Sequence, residues 1–127
     1  MIASGARTVP GAVASLTMAR ILITGCSTGI GRATAIELAK RGHEVIATAR
    51  RVDTLRDLDV AERLALDITD EASVANVLAA CGHLDVLINN AGVGLSGPIE
   101  GVPLPDVENL FHTNVFGAVR LIQAILP

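Results

Sequence analysis

RILITGCSTGIG, residues 20–31, joins a short apolar run to a turn that carries three glycines. Glycine weakens helices and strands, so glycines at 25, 29 and 31 cost stability unless something must approach the main chain closely. The residues before the turn are typical of a strand, and those after it are typical of a helix. A turn of this kind brings bare backbone N–H groups beside the positive end of a helix dipole, and together they bind a pyrophosphate. The stretch therefore predicts a turn that holds dinucleotide phosphates.

The rest of the chain supplies the context that a glycine motif needs, because a lone motif is weak evidence. Strands are predicted at 20–24, 44–49, 63–67 and 84–89. Helices are predicted from Gly29 to a terminating Gly42, from an N-cap at Asp70 to Gly82, and over 106–126, with a short charged helix or turn at 52–58. Strands that alternate with helices over short links indicate βαβ units and a parallel sheet.

Composition limits the kind of protein. The chain has 127 residues, half of them hydrophobic, with two phenylalanines and no tyrosine or tryptophan. One domain with a core of Ala, Val, Ile and Leu fits a parallel sheet covered by helices. The net charge of −3 and the absence of a basic run argue against a nucleic-acid surface. No apolar run approaches the roughly 20 residues of a membrane helix.

The two cysteines, Cys26 and Cys81, stand far apart without C-x-x-C spacing or a nearby histidine pair. A disulfide framework or a metal site is therefore not expected. A reducing, cytoplasmic location is expected instead.

The first nineteen residues contain no acidic residue and carry Pro10 and Gly11. We expect residues 1–19 to be a disordered tail or the product of an over-long start, with Met18 as the initiator.

Four segments together resemble the short-chain dehydrogenase/reductase family. The glycine spacing is T-G-x-x-x-G-x-G rather than the usual G-x-G-x-x-G. The other three segments are LALDITD (64–70), LDVLINNAGVG (84–94) and FHTNVFG (111–117). The resemblance covers residues 20–127 and implies an α/β fold. This would be the N-terminal half of a three-layer, Rossmann-type doubly wound parallel sheet with strand order 3-2-1-4, ending before strand five.

The resemblance also assigns a cofactor site. It implies that Asp67 accepts a hydrogen bond from the adenine amino group beside the Ile68 backbone. Asn90, Ala91 and Gly92 would line the adenosine ribose and steady the central sheet. A helix cap at Asp67 and ordinary turn residues at 89–90 are the plainer alternatives. The full set of expected cofactor-binding residues is Gly25, Ser27, Thr28, Gly29, Ile30, Gly31, Arg50, Asp67, Ile68, Asn90, Ala91 and Gly92.

The end of the second strand predicts which dinucleotide binds. An NAD site usually has a carboxylate there to hold the ribose 2′-OH. This chain has Arg50 and Arg51 instead, and the first carboxylate is Asp53. A guanidinium can bond a 2′-phosphate bidentately, so we expect NADP(H) rather than NAD(H), with Arg50 as the contact. The alternative is a solvated arginine pair.

The resemblance implies a catalytic role for Asn114, which would help hold a water in a proton relay. Asn114 lies on an apolar helical stripe and is therefore expected to be buried. The remaining family residues are a Ser, a Tyr and a Lys four positions after the Tyr, on strand five and its helix. The chain has no tyrosine, and Lys40 is its only lysine. Neither Cys26 nor His112 is a persuasive substitute.

The implied activity is the NADP(H)-dependent interconversion of an alcohol and a carbonyl by hydride transfer. The segments VIATARR and GLSGPIEGVPL (45–51 and 94–104) look most like the branch acting on steroid, retinoid or acyl-glycerone carbonyls. The alternatives are an inactive nucleotide-binding fragment of a truncated or split gene and another Rossmann enzyme, such as an epimerase or a methyltransferase. We also expect an unpaired apolar edge on the fourth strand and, if the chain were complete, a homo-oligomer formed through the 106–126 helix.

Overall fold

The computed structural model describes residues 2–3 and 17–126. The strands are β1 (Ile2–Ala3), β2 (Arg20–Ile23), β3 (Glu44–Ala49), β4 (Glu62–Ala65) and β5 (Val86–Ile88). The α-helices are α1 (Gly29–Lys40), α2 (Glu71–Cys81), α3 (Leu104–Phe111) and α4 (Ala118–Ile125). Short 3₁₀ helices span Val52–Leu55 and Ile99–Gly101, and a π-helix at His112–Gly117 joins α3 to α4.

The strands form one sheet in the order β1-β5-β2-β3-β4. The four strands expected from the sequence are mutually parallel, and their order, read from β4 to β5, is 3-2-1-4. This confirms the predicted doubly wound topology. Parallel neighbours require crossover helices, and the βαβ alternation of the sequence already supplied them.

The outer edge of β5 is paired, contrary to expectation. β1 runs antiparallel to it, with Ile2 opposite Leu87 and Ala3 opposite Val86. An open strand edge exposes unpaired N–H and C=O groups, which a second segment of backbone can satisfy. A strand of two residues is too short for an alternating sequence pattern to predict it. The expectation of a disordered tail or an over-long start covers residues 1–19, of which residues 1 and 4–16 lie outside the described residues.

The sheet is covered on both faces, which makes three layers. Side chains of a strand alternate between faces, so Ile21 and Ile23 point to one core and Leu22 to the other. The first core contains Ala35 of α1. The second contains Val74 and Val77 of α2 and Leu121 of α4. Both cores are built from aliphatic side chains and one cysteine each, Cys26 and Cys81, which agrees with the core of Ala, Val, Ile and Leu that the composition predicts.

The amino ends of the parallel strands are tied together by charge. Arg20 pairs with Glu44 of β3 and, at 2.5 Å, with Glu62 of β4. Its backbone N–H donates to Asp85 at 2.8 Å, just before β5. These contacts align the strands at one edge, so that all four end together at the opposite, carboxyl edge.

The last helix differs from the sequence expectation in two ways. It begins at Leu104, and the π-helix His112–Gly117 interrupts it. Asn114 is exposed rather than buried. The π turn holds more residues than an α turn, so it shifts the apolar stripe of the sequence and moves the buried face to Gly117 and Leu121.

Candidate functional site

A cleft of about 300 Å³ lies at the carboxyl edge of the sheet. Ligands of open α/β sheets bind at this edge, beyond the strand ends. The cleft contains residues that follow each of β2, β3, β4 and β5. It is lined by Thr24, Gly25, Ser27, Thr28, Ala49, Arg50, Leu66, Asp67, Ile68, Thr69, Asn90, Ala91, Gly92, Val93 and Thr113.

Most of the residues singled out from the sequence meet in this cleft. Those that line it are Gly25, Ser27, Thr28, Arg50, Asp67, Ile68, Asn90, Ala91 and Gly92. Gly29 and Ile30 open helix α1 beside it, with Ile30 80% exposed, and Gly31 is packed underneath. Sequence reasoning missed Thr24, although it opens the T-G-x-x-x-G-x-G motif, and it missed Val93 and Thr113.

Two glycines let the turn after β2 pack against the loop after β5. A Cβ on Gly25, whose φ is +73°, would lie 2.8 Å from Ala91 Cα. A Cβ on Gly31 would lie 2.3 Å from Asn90 Nδ2 and 2.4 Å from the Gly25 carbonyl oxygen. No side chain fits in either place. These two glycines therefore serve close packing, which shapes the cradle in front of helix α1.

Among the described residues, no carboxylate caps the amino end of α1. Thr28 occupies the N-cap without a side-chain hydrogen bond, and the first turn has no acidic residue. Helix α2 shows the contrast, because the Asp70 carboxylate accepts from Ala72 N and Glu71 follows it. The free N–H groups and the helix dipole at α1 suit a phosphate group.

Thr24 and Asn90 join the ends of β2 and β5. Thr24 Oγ1 accepts from the backbone N–H groups of Asn90 at 3.0 Å and Ala91 at 2.9 Å. The Asn90 side chain donates to the carbonyl oxygens of Thr24 at 3.0 Å and Gly25 at 3.1 Å. The Asn90 amide thus braces the glycine turn. The Asn90 side chain therefore supports the cleft wall by bonding to other protein groups, and the backbone of that wall remains available to a ligand.

The two arginines after β3 have different surroundings. Arg51 pairs with Asp53 at 3.1 Å and does not line the cleft. Arg50 lines the cleft, and its positive charge helps to lower the pKa of Asp67. The larger causes of that lowered pKa are the hydroxyl and the backbone N–H of Thr69, which donate to Asp67 Oδ1 at 2.6 and 2.9 Å. Asp67 is therefore an ionised acceptor beside a cation.

Asn114 is bound to the loop that follows β5. Its Oδ1 accepts from Val93 N and its Nδ2 donates to the Val93 carbonyl oxygen, both at 2.8 Å. A Cβ on Gly92 would lie 3.2 Å from Asn114 Oδ1, so the absence of a side chain there leaves room for this pair. Both polar atoms of the Asn114 amide thus bind the loop, and Asn114 lies within the π-helix, a feature frequent at functional sites.

Neither Cys26 nor His112, the two other reactive side chains considered from the sequence, lines the cleft. Cys26 is completely buried, its thiol donates to the Ile23 carbonyl oxygen at 3.4 Å, and burial raises its pKa. His112 is exposed and packs against Phe116. In the described part of the chain, no three His, Cys, Asp or Glu side chains are grouped for a metal ion. Nor do residues 17–126 contain a helix long and apolar enough to cross a membrane.

Comparisons with known proteins agree with this geometry. A family model of short chain dehydrogenases matches residues 19–127. Retinol dehydrogenase 8 of Homo sapiens is 44% identical, over 84% of this chain and 39% of that protein. NADPH-dependent 1-acyldihydroxyacetone phosphate reductase of Schizosaccharomyces pombe is 40% identical, over 82% of this chain and 38% of that protein. The chain thus spans about 40% of the length of these two relatives.

Solved structures show the same fold. The 3-ketoacyl-(acyl-carrier-protein) reductase of Brucella melitensis, complexed with NADH, superposes with a TM-score of 0.81 at 29% identity, over 86% of this chain and 49% of that one. A metagenomic short-chain oxidoreductase in complex with NADP gives a TM-score of 0.77 at 34% identity, over 86% of this chain and 55% of that one. The similar structures therefore include complexes with both nicotinamide cofactors.

Proposed function

Because the chain belongs to the short-chain dehydrogenase/reductase family, whose members bind NAD(P)(H), we propose that residues 20–127 form the NADP(H)-binding part of an oxidoreductase that interconverts an alcohol and a carbonyl. The bound nicotinamide would supply or accept the hydride. The chain's own contribution is to hold the dinucleotide along the carboxyl edge of the sheet.

Each proposed contact follows from a group already described. The free N–H groups at the start of α1 would bind the pyrophosphate, with Ser27 and Thr28 in the cleft wall beside them. Asp67 would accept from the adenine amino group, since its carboxylate is ionised and its Oδ2 makes no hydrogen bond among the described residues. The backbone of 90–92 would line the ribose. Gly25 and Gly31 keep this cradle narrow enough for backbone to reach phosphate.

The preference for NADP(H) rests on two observations: Arg50 lines the cleft, and no carboxylate follows β3 before Asp53. An NAD site needs an acceptor for the ribose 2′-OH at this point. A guanidinium instead offers paired donors to a 2′-phosphate. Asp53 is engaged by Arg51 at 3.1 Å, so it is not free to replace the missing acceptor.

Fluorescence titration of the purified chain with NADPH and with NADH tests this function. We expect saturable binding with NADPH favoured. The Arg50→Gln variant should weaken NADPH binding by about 10- to 150-fold and leave NADH binding nearly unchanged, since a charge-assisted hydrogen bond is worth about 1.5–3 kcal/mol. Arg51→Gln is the matched control, because Arg51 lies outside the cleft wall and should have little effect. Equal affinity for both cofactors in the wild type would contradict the NADP(H) assignment.

We propose that residues 20–127 bind the cofactor without supplying a proton-transfer group, because the chain contains no tyrosine and its single lysine, Lys40, lies at the far end of α1. Binding of NADPH without reduction of a panel of carbonyl compounds is therefore the expected result for residues 1–127. The proposed substrate is a lipid alcohol or carbonyl, because the names of both relatives specify one, retinol in the first and an acylated dihydroxyacetone phosphate in the second. Reduction of a carbonyl compound by residues 1–127 would contradict the proposal that they bind the cofactor without supplying a proton-transfer group.

The proposal includes a homo-oligomer built through the last helix and a cytoplasmic location. Apolar side chains stand exposed on this helix at Phe111, Val115, Phe116 and Val119. An exposed apolar patch of this kind is typical of an interface. Analytical ultracentrifugation of the wild type and of Phe116→Glu would test the oligomer, which the charged variant should weaken.

The proposed cytoplasmic location is supported by the two cysteines, which are buried and free, as expected in a reducing compartment.

A further inference from the structure

We propose that Arg32 and Asp57 are positioning residues for NADP(H) selectivity, because their ion pair clamps the turn segment 51–58 onto helix α1 and so holds Arg50 in the cleft wall. This inference rests on the proposed function. The turn segment 51–58 directly follows Arg50, contains the 3₁₀ helix Val52–Leu55 and leads towards β4.

Arg32 makes two polar contacts that join the segment to α1, in addition to the packing of Leu55 and Leu58 in the core that contains Ala35. Its Nη2 lies 2.5 Å from Asp57 Oδ2, and its Nη1 donates to the Thr54 carbonyl oxygen at 3.3 Å. Arg32 is in the first turn of the helix whose amino end faces the cleft, one residue after the tightly packed Gly31. The clamp therefore connects the proposed 2′-phosphate contact to the proposed pyrophosphate contact through one side chain.

The segment transmits this restraint because it is internally fixed. Thr54 donates from both its backbone N–H and its hydroxyl to the Arg51 carbonyl oxygen, at 3.1 and 2.6 Å. Leu55 and Leu58 are buried in the core. On the other side of Arg50, the Ala49 carbonyl oxygen accepts from Leu66 N at 2.9 Å. Arg50 is thus held between a strand end and a turn.

The charges of Arg32, Asp57 and Arg50 also support the inference. The Arg32 hydrogen bond is the largest cause of the lowered pKa of Asp57, so the pair is ionised at neutral pH. Asp57 offsets the charge of Arg32, and Arg50 is left as the arginine of this region that lines the cleft. Arg32 acts on the 2′-phosphate indirectly, by holding the turn segment. Because the segment is already ordered, Arg50 loses less conformational entropy on binding than it would in a free loop.

The test compares the Kd of NADPH and of NADH in variants of the same chain. Arg32→Gln should raise the Kd of NADPH about three- to fivefold and change that of NADH by less than about twofold, the range expected for a partly exposed ion pair. Asp57→Asn should act in the same direction. This variant should fold normally because the Asp57 side chain is 67% exposed, so its effect on binding is not explained by misfolding. Arg32→Lys, which keeps the charge, should restore part of the selectivity.

Arg41→Gln is the matched control. Arg41 lies at the other end of α1 and pairs with Glu37 at 2.7 Å, without touching the turn segment. It should leave both Kd values unchanged. A parallel loss of both cofactors in Arg32→Gln and Asp57→Asn would overturn the inference, since it would mean only a structural role.

Tighter NADPH binding by Asp57→Asn would also overturn it, because Arg32 would then be a direct phosphate ligand held back by Asp57. Selective NADPH binding by the wild type with no effect of either variant would overturn the inference alone. A wild-type chain that binds neither cofactor, or does not prefer NADPH, would contradict the proposed function and the inference together.

Discussion

Thr24 and Asn90 hold the ends of β2 and β5 together by two hydrogen bonds, both donated by Asn90 and accepted by Thr24. The Thr24 hydroxyl oxygen accepts from Asn90 N, and Asn90 Nδ2 donates to the Thr24 carbonyl oxygen, each at 3.0 Å. Thr24 is 1% exposed, so the bonds that its hydroxyl oxygen accepts are shielded from water. The wall of the cleft and the glycine turn are therefore one unit.

Thr24→Val should destabilise the chain by about 2 kcal/mol or more and weaken NADPH binding. The change leaves two backbone N–H groups without an acceptor, and a buried unsatisfied group costs about 1–3 kcal/mol. Thr48→Val is the control, since Thr48 is also buried but its hydroxyl donates to the Ile23 carbonyl oxygen. Urea unfolding should show the smaller loss for Thr48→Val, and equal losses would contradict the role given to Thr24.

Gly31→Ala should abolish NADPH binding and lower stability by about 1–3 kcal/mol, the usual cost of overpacking. The added Cβ would meet Asn90 Nδ2 at 2.3 Å and the Gly25 carbonyl oxygen at 2.4 Å, so the turn or the loop must move. Gly94→Ala is the control in the same cleft region, because nothing lies within 4 Å of its Cβ position. Thermal unfolding and NADPH titration of both variants check this, and normal binding by Gly31→Ala would refute the packing account.

Asp67→Asn should flatten the acid side of the stability–pH profile. The folded-state pKa of Asp67 is lowered, chiefly by the Thr69 hydroxyl, below an unfolded value of about 3.9. Its contribution is therefore fully present above about pH 3.9 and is lost as the pH falls through the folded-state pKa. Urea unfolding between pH 7 and pH 3 should show less acid destabilisation in Asp67→Asn than in the wild type. Asp59→Asn, which changes an exposed carboxylate, should keep the wild-type slope.

Asn114→Ala should loosen the loop after β5 at a cost of about 1 kcal/mol, because two exposed hydrogen bonds to Val93 disappear. Amide hydrogen exchange reports this directly, and the Val93 N–H should exchange faster. Asn114→Asp keeps an acceptor for that N–H and should retain part of its protection. Asn109→Ala, an exposed amide on the same helix, is the control, and faster exchange of Val93 in that variant would argue against a specific tie.

Local pattern was enough to predict the elements on which the site is built. β3 was predicted with its observed bounds, Glu44–Ala49, because its apolar run ends sharply at charged residues. The cap at Asp70 was predicted correctly because Asp is a strong N-cap residue and acts within its own turn. The doubly wound strand order followed from the family resemblance and was confirmed.

Features that depend on distant partners were not predictable in the same way. The burial expected for Asn114 was wrong because the π-helix shifts the face of the helix, and no sequence period encodes that shift. The role of Thr24 was missed because its hydroxyl meets residues 66 and 67 positions later in the chain. The pairing of Ile2–Ala3 with β5 likewise joins residues far apart.

The sequence by itself determined the α/β class, the glycine turn and the family, because each depends on residue types at short, fixed spacing. Only the tertiary structure decided which of two adjacent arginines faces the cleft, what Asn90 and Asn114 bind, and that Arg32 reaches Asp57. Hydrogen bonds and ion pairs act over about 3 Å, and the folded sheet alone brings such distant residues within that range.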